Sequence, residues 1–459
     1  MGATRNNPLV ANQVCVIGAG PSGLTAAKNC VENGLSVVVF EKNDRVGGNW
    51  VFNSKTGHSS VYENTHLISS KTWSEFEDYP MPDGYPDYPS HLQLQAYFES
   101  YAKAFGVYEK IKFDHTVVNV SRQSDGKWLV EYLEPNGMKK SEVFEYLMVA
   151  NGHHNVPKYP EYPGEYTGKY LHSHDFKGVD ESWRDKRVLV IGAGNSACDI
   201  AVEAARITKT VHMSMRSPQW FFPKFIFGQP GDVFAARSRW LPKKLRQYGL
   251  KFLARIIQGP YSRYGLPENT LLPLSTHPTL NSDLMDYIRH GRIVPKGAIK
   301  SWDGLRVNFI DGTSGEYDIV CACTGFWTTF PFFDENFINF KDLAKVPLYR
   351  KMMHQDYKNL YFIGLFQPIG CIWPLADYQA KLACLEILGK YQRPANIAAE
   401  IKREVENPHF DFGPGQRHAM EVDYHTFRNE LKRELKKAGV DIGKPPAGNK
   451  KLYKSFARV

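Results

Sequence analysis

The feature that most constrains the fold of this 459-residue chain is a glycine-rich turn close to its start. The turn, GAGPSG at 18–23, follows the apolar run 13–17 and leads into a helical pattern that ends at Asn33. A second apolar run, 35–40, then ends at Glu41. Strand, glycine turn, helix, strand and acid in this order are typical of a dinucleotide-binding βαβ unit. The sequence therefore predicts an α/β fold with a nucleotide site at its beginning.

Each glycine of this turn has a separate physical reason. Gly18 permits a tight turn, Gly20 lets the backbone approach a pyrophosphate, and Gly23 lets the helix pack close to the strand. The N–H groups at the start of the helix then face the phosphates. Glu41 lies 41 − 18 = 23 residues beyond Gly18, where a carboxylate accepts hydrogen bonds from a ribose diol. A glycine turn without a ligand is the alternative, and the complete βαβ context favours the nucleotide.

A second pair of glycines follows the acid, in the segment RVGGNW at 45–50. Two adjacent glycines let the backbone approach the second half of a long dinucleotide. This extension indicates FAD rather than NAD at the first site, with an ordinary glycine turn as the alternative. The residues expected to hold FAD around this turn are Gly18, Gly20, Ser22, Gly23, Glu41, Lys42, Gly48, Asn49 and Trp50.

A second nucleotide site is predicted further along the chain, where an apolar run precedes GAGNSA at 192–197. Ala197 replaces the third glycine, which the motif tolerates. The next strand, 210–215, ends without an acid and has Ser214 and Arg216 at the ribose position. A carboxylate would repel a 2′-phosphate, whereas an arginine binds it with paired hydrogen bonds, so NADPH is favoured over NADH. The alternative for Arg216 is a solvated surface charge. The residues expected to hold NADPH are Gly192, Gly194, Asn195, Ser196, Ser214 and Arg216.

Two dinucleotide sites in one chain imply one resident cofactor and one that is exchanged. Hydride then passes from NADPH to flavin, and the reaction is a redox reaction. The predicted fold class is α/β with two Rossmann-like domains, the NADPH domain being inserted in the FAD domain. We expect the FAD domain to comprise 1–180 and 296–459, and the NADPH domain to comprise 181–295. A last charged helix over 416–438 is expected to be peripheral.

The segment YTGKYLHSHDFK at 166–177 lies before the second site. It resembles the fingerprint FxGxxxHxxxYK of the flavin-containing monooxygenases, which are class B flavoprotein monooxygenases, with Tyr166 for Phe and Phe176 for Tyr. The Baeyer–Villiger fingerprint ends in Trp rather than in the Phe-Lys pair found here. The match therefore favours the branch that oxygenates nitrogen and sulfur, and a soluble, bacterial-type member of it. The resemblance covers 13–390.

Other segments are similar to the same family. The stretch 79–88 is similar to its proline-aromatic loop, and 152–157 to its link between domains. The strand 318–326 and the segment 367–381 are similar to parts that lie near the cofactors. The resemblance thereby adds four expected cofactor contacts, namely Thr324, Gly325, Gln367 and Gln379.

The resemblance implies an FAD-containing, NADPH-dependent monooxygenase. Such an enzyme uses O₂ to oxygenate a small soft nucleophile, an amine nitrogen or a sulfide sulfur, through a flavin hydroperoxide. Baeyer–Villiger oxygenation of ketones is the alternative within the family. A flavin disulfide reductase would need a CxxC or CxxxxC pair, which the sequence lacks. A non-catalytic FAD protein would not need an NADPH site with Arg216.

One departure from the family concerns the segment before Lys71. Animal-type enzymes have an Asn three residues before this Lys, where it contacts flavin and nicotinamide, and this chain has Ile68. Asn64 or His66 is expected to supply the polar contact instead. The resemblance thus makes Asn64, His66 and Lys71 the candidate catalytic residues.

Composition and histidine spacing set the remaining expectations. The seven cysteines lie largely in apolar runs, and no secretory leader precedes the first strand, which indicates a cytoplasmic protein. The net charge of +9 suits nucleotide phosphates and gives no nucleic-acid signature. The pairs His153–His154 and His172/His174 lack a cysteine or carboxylate companion, so no metal site is predicted. A homodimer is expected.

Residues 235–267 form a basic segment that contains eight Lys or Arg residues and no acid. Apolar residues recur in it at helical spacing, which predicts an amphipathic helix. One interpretation is contact with an anionic membrane surface. The other, which the sequence favours, is a helix that covers the NADPH domain or a subunit interface and keeps a solvated basic face. The apolar residues are Leu241, Leu245, Tyr248, Phe252 and Ile256.

Overall fold

This computed structural model describes residues 13–275, 277–341, 343, 345–408 and 420–440. Both predicted βαβ units are present, and each belongs to a five-stranded parallel sheet. The α/β class predicted from the two glycine turns is therefore confirmed. In both units the turn lies at the carboxyl end of a buried strand, which is where open α/β sheets bind their ligands.

The described strands, in chain order, are β1 Val14–Ile17, β2 Val37–Phe40, β3 Ile111–Lys112, β4 Thr116–Arg122, β5 Trp128–Leu133, β6 Lys139–Phe144, β7 Tyr146–Val149, β8 Val156–Pro157, β9 Lys169–His172, β10 Arg187–Ile191, β11 Thr210–Ser214, β12 Phe221–Phe222, β13 Phe225–Ile226, β14 Gln229–Pro230, β15 Thr279–Leu280, β16 Ile293–Lys296, β17 Ile299–Asp303, β18 Arg306–Phe309, β19 Ser314–Glu316, β20 Ile319–Ala322, β21 Phe326–Trp327, β22 Leu360–Phe362, β23 Gln367–Pro368 and β24 Glu421–Val422.

The α-helices in the same part of the chain are α1 Pro21–Glu32, α2 Lys71–Ser74, α3 His91–Ala104, α4 Asn195–Ala204, α5 Gly231–Ala236, α6 Lys243–Gln258, α7 Leu284–Arg289, α8 Trp373–Ile387, α9 Ile397–Glu406 and α10 Tyr424–Lys437.

The first sheet has the strand order β22-β7-β1-β2-β3. Its central strand, β1, reads VCVI and is buried along its whole length, as expected for β-branched residues in a parallel sheet covered on both faces. Helix α1 leaves the glycine turn with Pro21 in its first turn and packs against α8. A proline is favourable there because the first N–H groups of a helix have no partner inside it.

The second sheet has the order β16-β11-β10-β20-β9. Strands β9 and β20 pair with each other in it, although the predicted boundaries place both in the FAD domain. The inserted unit thus recruits the strands on either side of the predicted segment. We propose that this unit takes in 169–322, and the division into two domains stays a prediction.

Each parallel sheet has one face covered by a three-stranded antiparallel sheet. The sheet β4-β5-β6 packs through Trp128 and Phe144 onto the first sheet. The sheet β17-β18-β19 packs through Trp302 and Phe309 onto the second. Each parallel sheet is thereby shielded from water on the side away from its crossover helix, as parallel sheets require.

The last helix differs from its prediction. Helix α10 begins at Tyr424, and residues 416–419 of the predicted span lie outside the described part of the chain. It was expected to be peripheral, but Leu431 and Leu435 are fully buried and the helix packs on α8. Arg350 binds Glu434 of this helix at 3.1 Å. The expectation is wrong because the helix buries Glu430 and Glu434 together with its leucines, and Arg350 pairs with these carboxylates.

For helix α6, the structure contradicts one part of the favoured prediction, that the apolar face covers the NADPH domain; the other part, a subunit interface, stays a prediction. Only Gln247 and Ala254 of its residues are buried. The apolar residues Leu245, Tyr248, Phe252 and Ile256, which were expected to cover the domain, are exposed. Periodicity fixes which side chains share a face and does not fix what that face meets, so the sequence could not decide between the two interpretations.

Three further features of the described residues bear on function. None of their helices is long and apolar enough to cross a membrane. No group of three or more histidine, cysteine or acidic side chains in these ranges could hold a metal ion. The seven cysteines are free thiols, and six of them are buried.

Candidate functional site

The first glycine turn is fixed by close packing of backbone on backbone. Gly18 has φ +103°, and a Cβ placed on it would lie 2.7 Å from the carbonyl oxygen of Ala150. A Cβ on Gly23 would lie 1.8 Å from the carbonyl oxygen of Gly18. No side chain fits at either position, because the contacts are with backbone atoms directly after β7 and β1. These two glycines shape the turn itself.

Gly20 and Gly48 together form a narrow backbone cradle. A Cβ on Gly48 would lie 2.9 Å from the Cα of Gly20, and Gly48 has φ +55°. The neighbouring Gly47 donates its N–H to the carbonyl oxygen of Ala19 at 3.1 Å. The two glycine segments begin 27 positions apart in the sequence and meet in space. This is the close approach of backbone that a pyrophosphate needs.

Glu41 lies at the end of β2, beside the turn. One carboxylate oxygen accepts the Ala19 N–H at 2.6 Å and the other accepts the Asn43 N–H at 2.9 Å. Burial raises the pKa of Glu41, and the two backbone hydrogen bonds oppose that effect. Each oxygen keeps a second lone pair for a ribose hydroxyl. Burial also lowers the pKa of the adjacent Lys42.

Other predicted FAD contacts are held in place by the protein. The Asn49 side-chain oxygen accepts the Ser60 N–H at 2.8 Å, so it fixes the loop that follows. Trp50 packs edge-on against Trp373 with ring centroids 5.9 Å apart. A Cβ on Gly364 would lie 2.1 Å from Ser22 Oγ, so the loop that contains Gly364 contacts the start of α1.

Gln379 binds the loop that contains Gly364 from inside the core. Its side-chain oxygen accepts the Gly364 N–H at 2.9 Å, and its amide nitrogen donates to the Arg350 carbonyl at 2.9 Å. The side chain is fully buried. Its amide is therefore committed to two backbone groups, which favours a bracing role over a direct cofactor contact.

The second glycine turn repeats the architecture of the first. Gly192 has φ +130°, and a Cβ on it would lie 2.6 Å from the Cys323 carbonyl oxygen. A Cβ on Gly194 would meet nothing within 4 Å, so open space lies in front of this residue. Asn195 begins α4 and its side chain accepts the Leu280 N–H at 2.8 Å. Ser196 follows it in the first turn of α4, where free N–H groups favour an anion.

Ser214 and Arg216 are placed differently from one another. Ser214 is buried and its hydroxyl donates to the Gly297 carbonyl at 2.8 Å. Arg216 is exposed beyond the end of β11. The serine therefore joins two strands, and the arginine is the residue of the pair that is accessible to a nucleotide phosphate.

The three candidate catalytic residues are not brought together with the glycine turns. Asn64 and His66 are exposed, and Asn64 donates to Glu203 at 3.1 Å. Glu203 is eight residues beyond Asn195, about 12 Å along α4 from the end that faces a nucleotide. Lys71 donates to three backbone carbonyls of the loop 82–85. Asn64 is thereby held near the end of α4 that points away from the nucleotide, and a flavin contact from Asn64 or His66 stays a prediction.

His153 is a site residue that the sequence analysis assigned only to a link between domains. It is buried, and its Nε2 lies 3.2 Å from the side-chain oxygen of Gln367. Burial lowers the pKa of His153, so the ring is held neutral. Nε2–H then donates to Gln367, the residue expected beside the flavin ring. The signal in the sequence was the glycine-histidine-histidine stretch itself, which adjoins β7.

Thr324 and Gly325 tie this region to the second sheet. The Thr324 hydroxyl donates to the Lys158 carbonyl at 2.5 Å, and the Lys158 N–H donates to Gly325 at 3.0 Å. Strands β8 and β21 pair in antiparallel fashion beside them. Thr324 and Gly325 therefore lie beside β8 and β21, where two segments of the chain connect the two parallel sheets.

The fingerprint segment 166–177 bridges the two halves of the site. The Lys177 ammonium donates to the carbonyl oxygens of Ser59, Val61 and His174 at 2.7, 3.3 and 3.0 Å. Phe176 is buried against the ring of Tyr62. The fingerprint therefore holds the loop that follows the glycine pair against the second unit.

The hydroxyl groups of two tyrosines, Tyr166 and Tyr62, add hydrogen bonds to that bridge. Tyr166 replaces the family's Phe, and its hydroxyl donates to the Tyr317 carbonyl at 3.0 Å. The Tyr62 hydroxyl donates to Asp199 at 2.7 Å, and Asp199 also accepts from Asn281 at 2.7 Å. Burial raises the pKa of Asp199, and these two hydrogen bonds act to lower it.

Comparison with known proteins agrees with this geometry. The family described as FMO-like, flavin-binding monooxygenase-like, matches residues 11–440. The chain belongs to this family. It is 35% identical to human flavin-containing monooxygenase 5, with 91% of this chain and 82% of the human protein aligned.

Two solved structures have the same fold as this family member. One is Tmm from Pelagibacter sp. strain HTCC7211, with 26% identity, a TM-score of 0.68 and coverage of 92% of this chain and 85% of that one. The other is S-allyl-L-cysteine S-oxygenase from Allium sativum, with 22% identity, a TM-score of 0.68 and coverage of 96% and 91%.

The enzyme is thus an FAD-containing, NADPH-dependent monooxygenase. The residues present fit both cofactors. A Cβ on Gly48 would press on the backbone of Gly20, Glu41 has acceptor capacity for a ribose, and the space in front of Gly194 is open. The two glycine turns supply N–H groups for the two pyrophosphates.

Proposed function

We propose that this monooxygenase oxygenates a soft nucleophile, an amine nitrogen or a sulfide sulfur, in the cleft between its two sheets. The observation that carries the proposal is the fingerprint ending in Phe176 and Lys177, with Lys177 bound to three carbonyls across the site. A relative from Rattus norvegicus, 34% identical, is the N-oxide-forming dimethylaniline monooxygenase 2. That name supports nitrogen oxygenation as one activity.

The chain's contribution is binding, orientation and exclusion of water. FAD, when bound, supplies the redox chemistry that links NADPH oxidation to the use of O₂. Gly20, Gly48 and Glu41 would hold the pyrophosphate and ribose of FAD. Gly194 and Ser196 would hold the pyrophosphate of NADPH, with Arg216 on its 2′-phosphate.

Two side chains, the buried His153 and the half-buried Lys177, would shape the reacting centre. Neutral His153 donates to Gln367 and so fixes the orientation of that amide. Lys177 binds the carbonyls of Ser59 and Val61 and so would hold the loop 59–61 in the position that keeps water out of the cleft. A dry cleft strengthens every hydrogen bond inside it, which is why these positioning contacts matter for oxygen transfer.

The cysteines argue against a flavin disulfide reductase. Cys30 and Cys384 have sulfur atoms 3.7 Å apart, and both are buried. Cys30 lies nine residues beyond Pro21 in α1, about 14 Å from the end of the helix that faces the dinucleotide. A redox pair would have to lie beside the flavin ring instead.

The test is product analysis with the purified, FAD-loaded enzyme. N,N-dimethylaniline, methyl p-tolyl sulfide and cyclohexanone are supplied separately with NADPH and O₂. We expect an N-oxide or a sulfoxide, with O₂ and NADPH consumed together. A lactone as the sole product would assign the Baeyer–Villiger branch instead. NADPH oxidation that requires a disulfide rather than O₂ would refute the proposal.

A further inference from the structure

Helix α6 presents an apolar stripe to the solvent. Leu245, Tyr248, Phe252 and Ile256 fall within about 80° of one another at 3.6 residues per turn. Their side chains are 56%, 58%, 68% and 64% exposed. Trp240, just before the helix, is 82% exposed. Isolated exposed apolar residues are ordinary, whereas a continuous stripe of this kind marks an interaction surface.

The opposite side of α6 fixes the helix to the protein. Gln247 and Ala254 are buried and lie about 140° and about 160° around the helix from Phe252. The Gln247 amide donates to the Pro273 carbonyl at 2.9 Å. Arg255 binds Glu268 at 2.7 Å. These contacts hold the apolar stripe outward rather than leaving it free to turn inward.

Positive charge borders the stripe. Lys244, Lys251 and Arg255 lie along one edge of it, and Arg246 lies along the other. No Asp or Glu occurs from 233 to 267. An exposed apolar ridge flanked by Lys and Arg is the pattern of a helix that lies in the plane of a membrane interface.

We propose that α6, with Trp240, is a docking surface for an anionic lipid bilayer. Trp240, Phe252 and Ile256 would enter the boundary between headgroups and acyl chains, and the Lys and Arg residues would contact anionic headgroups. The proposal goes beyond the proposed function, because it concerns where the enzyme works rather than what it oxygenates. It requires no spanning helix, since the contact is with one leaflet.

A second copy of the chain is a poorer partner for this surface. A two-fold interface would bring the same patch from both subunits together. Lys244 and Lys251 would then approach their own counterparts, and like charges repel. The homodimer expected from the sequence therefore finds no support at this surface. A bilayer with anionic headgroups satisfies both the charge and the apolar stripe.

The experiment is co-sedimentation of the FAD-loaded enzyme with vesicles. Phosphatidylcholine vesicles are compared with phosphatidylcholine–phosphatidylserine vesicles at low and high ionic strength. We expect association with the phosphatidylserine vesicles that weakens as salt is added. Emission from Trp240, isolated as the difference from Trp240→Tyr, should shift to shorter wavelength on binding. No association with anionic vesicles at low ionic strength would overturn the proposal.

Two variants separate the apolar and the electrostatic contributions. Phe252→Ser with Ile256→Ser should weaken association at least about ten-fold. Lys244→Gln with Lys251→Gln should weaken it about five-fold for each charge removed. Both variants should keep the parental rate of NADPH oxidation in the absence of vesicles. Ile310→Ser is the matched control, because Ile310 is 69% exposed elsewhere on the surface, and it should bind as the parent does.

The oligomeric state in solution tests whether a second copy of the chain, rather than a bilayer, covers the apolar stripe. We expect the Phe252→Ser, Ile256→Ser variant to have the same oligomeric state as the parent. A parental dimer that this variant converts to a monomer would identify the stripe as a subunit interface and overturn the proposal. Equal binding of the parent and both variants to anionic vesicles would overturn it as well, since the contact would then lie elsewhere.

Discussion

The Lys177 ammonium lies 2.7 Å from the carbonyl oxygen of Ser59, 118 positions earlier in the chain. It is the last residue of the fingerprint, and Ser59 follows the glycine pair of the FAD site. This contact joins the two halves of the cleft through one cation and several backbone carbonyls. Burial lowers the pKa of Lys177, and the neighbouring Asp175 carboxylate opposes that effect.

Lys177→Met should therefore destabilise the enzyme and loosen the cleft. The carbonyls of Ser59 and Val61 would lose their donor, which costs about 1 to 3 kcal/mol of unfolding free energy. Denaturant unfolding measures the loss, and H₂O₂ released per NADPH measures water entry. Lys177→Arg should recover part of both. A Met variant with parental stability and coupling would show that the contact is incidental.

Gly18→Ala and Gly20→Ala should both lose FAD, for different reasons. Gly18 has φ +103° and backbone 2.7 Å from a Cβ, so its variant is strained even without cofactor. Gly20 has φ −69° as the N-cap of α1, and a Cβ there would lie 3.5 Å from the nearest atom, Gly48 Cα. Its variant should fold and fill only the space for pyrophosphate.

The measurement for this pair is bound FAD per chain, with thermal unfolding of the apoprotein. We expect the Gly20 variant to be colourless with the melting temperature of the parental apoprotein. The Gly18 variant should be colourless and melt earlier. A Gly20 variant that stays yellow would remove this residue from the FAD site.

The two glycine turns could be predicted because their determinants are local. Strand, turn and helix follow one another in sequence, and Gly18 and Gly192 each need a conformation that glycine adopts most easily. Gly48 lies only eight residues beyond the end of β2, so its meeting with Gly20 also depends on positions close to the βαβ unit. These parts of the fold and of the site follow from short-range pattern alone.

Contacts across the chain could not be predicted in the same way. Asn64 is only seven positions from Lys71, but its partner is Glu203, at the far end of α4. Strand β9 pairs with β20, far away in sequence, and so joins the inserted unit. The outward orientation of Phe252 depends on where Gln247 attaches. Periodicity and spacing carry no information about such partners.

His172 should make stability depend on pH. It is fully buried, and burial lowers its pKa from 6.5 to about 4. The unfolded chain therefore binds a proton that the folded chain does not, between these two values. Stability from this group is complete above pH 6.5 and is lost as the pH falls towards 4, by at most about 1.4 kcal/mol per pH unit.

His172→Asn removes the titrating group and keeps an acceptor for the His174 N–H. Unfolding free energy should be measured across this pH range in parent and variant. The carboxylates titrate in both proteins, so the difference in slope isolates His172. We expect the variant to lose less stability on acidification. Identical slopes would show that His172 is protonated in the folded enzyme.

Arg216→Ala should weaken NADPH and leave NADH little changed. Arg216 is exposed beyond β11, while Ser214 is bonded to Gly297 and cannot replace it as a donor. Loss of a charge-assisted contact to the 2′-phosphate should raise the KM for NADPH about ten- to a hundred-fold. Arg206→Ala, an exposed arginine beyond α4, is the matched control. Equal effects on both nucleotides would show that Arg216 does not bind the phosphate.

We expect substitutions of Asn64 and of His153 to have different effects on the coupling between NADPH oxidation and product formation. Asn64 is exposed and bound to Glu203, so Asn64→Ala should leave the yield of H₂O₂ unchanged. His153 is buried and donates to Gln367, so its loss frees an amide that is expected beside the flavin ring. A misplaced polar group in a dry cleft should slow the transfer of oxygen to the substrate without blocking hydride transfer.

His153→Phe should therefore be reduced by NADPH at the parental rate and release more H₂O₂ per NADPH, by about ten-fold. His153→Gln keeps a donor of similar reach and should restore most of the coupling. Rapid-mixing absorbance gives the reduction rate, and a peroxidase assay gives the H₂O₂. If Asn64→Ala raised the peroxide yield and His153→Phe did not, the polar contact would come from the segment before Lys71, as the sequence first indicated. The cleft would then have to rearrange enough to release Asn64 from Glu203.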